Sequence, residues 1–112
     1  MLTNEIRYKI LKELEENPEI SQRDLARHLG VSLGRANYCL HSLIERGLIK
    51  ARNFKNSRNK KAYMYYLTPE GIEAKATITM QFLKHKMQEY ELLKAELDRL
   101  QQEVNEITRS AE

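Results

Sequence analysis

Residues 21–35 read Ser-Gln-Arg-Asp-Leu-Ala-Arg-His-Leu-Gly-Val-Ser-Leu-Gly-Arg, two short helical segments with start signals, separated by a Gly-Val-Ser turn. Ser21 and Asp24 form a capping box in its S-x-x-D variant, and Ile20 can staple to Leu25. The buried side of that helix would be Leu25, Ala26 and Leu29. Gly30 stands where a helix ends in the left-handed region that glycine enters cheaply, and Val31 plugs the turn. Ser32 then caps a third helix running to about Arg46, which Gly47 closes as Gly30 closed the second. On that helix Ala36, Leu40, Leu43 and Ile44 share one face. Arg35, Asn37, Tyr38, His41 and Ser42 share the other. Ala26 and Ala36 are small, as two closely crossing helices require.

Upstream, Thr3 or Asn4 can cap a first helix whose Ile6, Ile10, Leu11 and Leu14 recur at helical spacing, and Asn17-Pro18 stops it. Downstream, Leu48 to Arg52 reads as a strand, Asn53 to Lys61 as a turn and Ala62 to Leu67 as a tyrosine-rich returning strand. From Lys50 to Lys61 the cations are Lys50, Arg52, Lys55, Arg58, Lys60 and Lys61, with no carboxylate among them. Helix, turn, helix and basic hairpin in that order predict a winged helix-turn-helix, a mainly α head with a small β-hairpin.

Thr68-Pro69 is an N-cap followed by proline at the first helical position, where its missing N–H costs nothing. Beyond it, Ile72, Ala76, Thr79, Leu83, Lys86, Tyr90, Leu93, Leu97, Leu100, Val104 and Ile107 alternate in steps of four and three, the seam of a left-handed coiled coil. Only Thr79 and Lys86 among them are polar. Such a helix reaches roughly 55–60 Å at about 1.5 Å per residue, more than the head can cover. The chain therefore divides into a head over residues 1–69 and a dimerisation helix over 70–112. Leu83, Tyr90, Leu93, Leu97, Leu100, Val104 and Ile107 are the expected contacts with a second copy. A parallel pair would set Lys86 against its own copy but bring Glu89 to Lys94; an antiparallel pair relieves Lys86 but brings Glu89 near Glu96. The seam itself does not choose.

Charge separates the same two parts. Residues 1–69 hold 13 Lys+Arg against 7 Asp+Glu, whereas residues 70–112 hold 6 against 9. A cationic head points to a polyanion. Cys39 is the only cysteine, which excludes an internal disulfide and a multi-cysteine zinc site and suits a reducing compartment. It sits among apolar neighbours and reads as packing rather than as a redox switch. His28, His41 and Cys39 share no ligand spacing, so no metal or other cofactor is assigned. Apolar runs such as Ala62–Leu67 are too short to span a bilayer and no signal-peptide stretch opens the chain, so the expected location is cytoplasmic, without membrane contact. Walker, HExxH, GxSxG and CxxC patterns are lacking, and no catalytic constellation can be assembled. The chain is not expected to be an enzyme.

Base reading needs side chains on the outward face of the third helix near its N-terminal half. Arg35, Asn37, Tyr38 and His41 are the candidates, Arg35 for a guanine edge and Asn37 for an adenine edge. Ser32 and the amides around Leu33 and Gly34 can hold a phosphate at the helix start. In the wing, Arg52, Lys55, Asn56, Arg58, Lys60 and Lys61 suit phosphates or a minor groove. The tyrosines at 38, 63, 65 and 66 read equally as strand and rim packing.

The stretch Asp24-Leu-Ala-Arg-His-Leu-Gly-Val-Ser-Leu-Gly-Arg-Ala, followed by Leu40, Leu43, Arg46-Gly-Leu-Ile and Tyr66-Leu-Thr-Pro-Glu-Gly, resembles the MarR family of winged-helix regulators, and within it the exopolysaccharide-associated branch. The resemblance covers about residues 5–75. It implies a homodimer on a pseudo-palindromic operator in double-stranded DNA, the third helix in the major groove and the wing at the minor groove, with Arg58 as the wing-tip arginine. Two features depart from the family pattern. Ser57 stands where an aspartate usually precedes that arginine, and the first helix begins almost at residue 1, without the extra helix that helps build the family dimer. Dimerisation is thus left largely to the C-terminal helix, and no small-molecule effector is assigned.

The expected function is sequence-specific transcriptional regulation, as a repressor. An architectural protein that coats DNA, and a winged-helix module that recruits a protein through its coil, are the alternatives. Protection of one short site separates the first from the second, and loss of all salt-dependent DNA affinity identifies the third.

Overall fold

The computed structural model describes residues 3–55 and 61–111, with residues 54, 55, 61 and 62 by backbone alone. Along the chain run α1 (Asn4–Glu16), α2 (Gln22–Leu29), α3 (Leu33–Glu45), β1 (Ile49–Lys55), β2 (Lys61–Leu67) and α4 (Pro69–Ser110). The chain divides into two units, Met1–Gln81 and Phe82–Glu112.

The head is built around one core to which every element of Met1–Gln81 contributes. Ile10, Leu11 and Leu14 come from α1, Leu25 from α2, Cys39, Leu40 and Leu43 from α3, Ile49 and Tyr65 from the hairpin and Ile78 from α4. Each large aliphatic side chain removed from water contributes about 1.5–3 kcal/mol. The two alanines at 26 and 36 are buried as well, where α2 and α3 lie against each other.

Helix starts are fixed by hydroxyl caps. Thr3 accepts from the Ile6 amide at 3.2 Å, Ser21 from Asp24 at 3.0 Å, Ser32 from Arg35 at 3.2 Å and Thr68 from Gly71 at 3.0 Å. Each satisfies an N–H that the helix cannot, and each is worth about 1 kcal/mol. Gly30 ends α2 at φ 69° and Gly47 follows α3 at φ 75°, both in the left-handed region.

Strands β1 and β2 pair antiparallel in a register that sets Ile49 against Leu67, Lys50 against Tyr66 and Arg52 against Met64. Alternation puts Ile49 and Tyr65 inward, both buried, and leaves Lys50, Arg52 and Tyr66 outward. Tyr65 is the anchor. Its amide donates to the Pro18 carbonyl at 2.9 Å and its hydroxyl accepts from Gln22 Nε2 at 3.2 Å. The first strand runs to Lys55, three residues past the expected end at Arg52, because Asn53, Phe54 and Lys55 find partners in Tyr63, Ala62 and Lys61. Pairing thus overrides the turn preference of asparagine.

The first turns of α4 belong to the head. Gly71 and Ile78 are buried, Ala74 packs on the core, Lys75 Nζ meets Glu15 Oε1 of α1 at 2.8 Å and Asn4 Nδ2 donates to Gln81 Oε1 at 3.2 Å. The root of the helix is tied to the residues just after α3 through main-chain atoms and one hydroxyl. The Thr68 hydroxyl donates to the Gly47 carbonyl, the Thr68 amide donates to the Leu48 carbonyl at 3.1 Å, and Gly71 presses on that same carbonyl.

The second unit is helix as far as Ser110. Its seven expected seam residues, Leu83, Tyr90, Leu93, Leu97, Leu100, Val104 and Ile107, are between 49% and 69% exposed in the single chain.

Candidate nucleic-acid interface

Helix α2 and a tight hydrogen-bonded turn place α3. The Gly30 amide donates to the Arg27 carbonyl at 3.1 Å and Val31 to Ala26 at 3.1 Å, so the chain reverses within two residues of the end of α2. Ser32 then opens α3. Ala36, Cys39, Leu40 and Leu43 hold its inner side in the core, which fixes the outer side by helical geometry.

On that outer side Arg35, Tyr38 and His41 are exposed, with Gly34 beside them and Leu33 41% exposed at the start. Tyr38, at 65%, projects furthest of the described aromatic side chains on the head. Ser32 is exposed while its hydroxyl serves the cap. The first turn of α3 carries no acidic residue, so its dipole and unpaired amides present a positive end.

Asn37 departs from the outward face expected of it. One helical step of about 100° turns it away from Tyr38 toward the flank of Leu33 and Ile44. It is half-buried, and among the described residues no hydrogen bond reaches its hidden Oδ1. Ser42 is likewise half-buried.

The outer surface of the hairpin adds charge next to this helix. Arg52 is exposed, with its guanidinium 5.8 Å from the centre of the Tyr66 ring, within cation–π range. Lys50 lies two residues away on the same side, and both border an open cleft of about 500 Å³ with Tyr66 and Thr68. Lys50 was not among the expected wing contacts, although counting back two from Arg52 puts it on the same face. Lys55 and Lys61 oppose each other by backbone register. Asn56, Arg58 and Lys60 lie outside the described residues.

Cys39 is buried, 1% exposed, on the inner side of α3. Among the described residues no group of three His, Cys, Asp or Glu side chains converges on a point that a metal ion would fill. Nor is any described helix long and apolar enough to cross a membrane.

Residues 3–50 match the family model described as winged helix-turn-helix DNA-binding. With the hairpin that follows them, they settle the architecture. The head is a winged helix-turn-helix. Solved structures agree. A PadR-like transcriptional regulator from Bacillus cereus superposes with a TM-score of 0.69 at 20% identity, over 78% of this chain and 89% of that one. The transcriptional regulator SlyA gives 0.59 at 25% identity over 95% and 79%. The zinc-dependent MarR-family regulator AdcR, solved in its Zn(II)-bound state, gives 0.54 at 27% identity over 83% and 60%. No curated protein matches the chain.

Proposed function

We propose that this winged head binds double-stranded DNA as a sequence-specific transcriptional regulator of the MarR type, acting as a homodimer. The observation that carries the reading is the outer side of α3. Gly34, Arg35, Tyr38 and His41 stand there on a helix whose inner side is locked in the core and whose first turn holds no carboxylate. Rigid placement is what base reading needs, since a bidentate contact discriminates by about 1–3 kcal/mol only when its geometry is held.

In this reading α3 enters the major groove. Arg35 reads a guanine edge, Tyr38 and His41 contact the neighbouring base pairs, and Ser32 with the amides of Leu33 and Gly34 receives a backbone phosphate. Asn37 reads adenine only if its amide swings out from its half-buried place. Lys50 and Arg52 take backbone phosphates, and Lys55, Asn56, Arg58, Lys60 and Lys61 carry the wing toward the minor groove. Two copies joined through Leu83, Tyr90, Leu93, Leu97, Leu100, Val104 and Ile107 bind the two halves of a pseudo-palindromic operator in the cytoplasm. Repression follows if that operator overlaps a promoter. Resemblance to the exopolysaccharide-associated branch points to exopolysaccharide biosynthesis genes as the regulated set.

Selection from a random duplex pool, followed by sequencing, tests the proposal. An inverted repeat bound far more tightly than bulk DNA at physiological salt supports it. Uniform recovery of all sequences refutes it in favour of coating.

A further inference from the structure

We infer that two copies of the Phe82–Glu112 unit pair in parallel and in register. The inference rests on the homodimer reading above and adds the direction of the partner.

In the heptad set by the exposed seam, Leu83, Tyr90, Leu97 and Val104 take position a and Lys86, Leu93, Leu100 and Ile107 take position d. One flank, position g, then carries Phe82, Glu89, Glu96 and Glu103. The other, position e, carries Met87, Lys94, Gln101 and Thr108. In a parallel pair each g residue meets the e residue five places further along the second copy. Glu89 then meets Lys94, Glu96 meets Gln101, Glu103 meets Thr108 and Phe82 meets Met87. The contacts are an ion pair, two neutral contacts to a carboxylate and a favourable sulfur–aromatic contact.

Antiparallel pairing sets g against g. With Leu97 packed on Leu93 of the second copy, Glu96 faces its own copy, Glu89 faces Glu103, and Lys94 on the other flank faces its own copy. Sliding by one heptad brings Glu89 to Glu96 instead. Carboxylates oppose carboxylates in both registers, and like charges so placed oppose association.

The objection to a parallel pair is Lys86, which would meet its own copy at a d position. The structure removes it. Lys86 Nζ lies 3.2 Å from Glu89 Oε2 and 5.4 Å from the centre of the Phe82 ring, and both partners are on the g flank. The ammonium is therefore drawn sideways off the seam, leaving the aliphatic stem to line it. His85 Nε2 approaches the other oxygen of Glu89 at 3.4 Å, so this carboxylate is held on the flank where Lys94 of the second copy would arrive.

A charge-swap cycle on the full-length chain tests the direction. Glu89 and Lys94 are five residues apart on one helix, about 140° around it, and cannot meet within a chain. Glu89→Lys and Lys94→Glu should each raise the dimer dissociation constant in sedimentation roughly threefold to tenfold, and, because Glu89 also holds Lys86, the double exchange should cost clearly less than the two single changes combined rather than return to the parent value. Disulfide trapping gives a second reading. In a parallel dimer Val104→Cys closes on its own copy. In an antiparallel one it closes on Lys86→Cys or Thr79→Cys in a mixed sample. Coupling in the cycle with self-trapping at 104 supports the inference. A dimer whose two exchanges simply add, or which traps only the mixed pairs, overturns the direction and leaves the homodimer reading standing. A monomer at all concentrations overturns both.

Discussion

Gly71 of α4 packs directly on the carbonyl of Leu48, so closely that a β-carbon at position 71 would collide with that oxygen. The contact is backbone on backbone and no rotamer can relieve it. Alanine at 71 would gain about 1 kcal/mol of helix propensity, but the collision costs more. Gly71→Ala should lower stability by about 1–3 kcal/mol net, read as a shift of the urea midpoint. An unchanged midpoint would show that α4 does not sit on the α3–β1 turn.

Arg35 and the pair Lys50 and Arg52 should separate in their effects on DNA. If Arg35 reads a base as proposed, Arg35→Ala should lower affinity for the selected operator by about 1–3 kcal/mol while binding to random duplex changes little. The double change Lys50→Ala, Arg52→Ala should weaken both alike and reduce the slope of log K against log salt by about 2. Anisotropy titrations at several salt concentrations distinguish these patterns, and the reverse pattern would move base reading from α3 to the hairpin.

Leu93 and Leu97 are consecutive seam residues, 54% and 56% exposed in the single chain. Replacing both with aspartate should give a folded monomer, since neither belongs to the core of the head. Operator affinity should then drop by about 10²–10⁴-fold through loss of the second head. Sedimentation together with circular dichroism checks this, and an unchanged mass would rule out the seam as the interface.

Cys39 is enclosed by the core, so its thiol should react with an aromatic disulfide reagent only when the head opens. Labelling in native buffer should be slow and should accelerate in urea along the unfolding curve. Rapid stoichiometric labelling of native protein would place the thiol at the surface.

Where a local signal decides structure, the residues of this chain declare it. Ser21, Ser32, Thr3 and Thr68 cap the helices that their hydroxyls announce, and Gly30 and Gly47 take the positive φ that helix ends require. Long-range pairing was less visible. The end of β1 is set by partners six to ten residues away in sequence, against the preference of Asn53. The role of Gly71 depends on a carbonyl more than twenty residues distant, and a glycine in a helix gives no hint of it. Within the site, Arg35, Tyr38 and His41 stand where periodicity puts them, whereas Asn37, at the margin of the polar arc, is half-buried.

The clamp joining Gly47 and Leu48 to Thr68 and Gly71 is made of main-chain carbonyls and amides plus a single hydroxyl. Side chains around it can therefore change while the angle between α3 and the base of the long helix is kept. The outward face of α3 is thus uncoupled from how the chain is hinged: its side chains can change without re-engineering the joint.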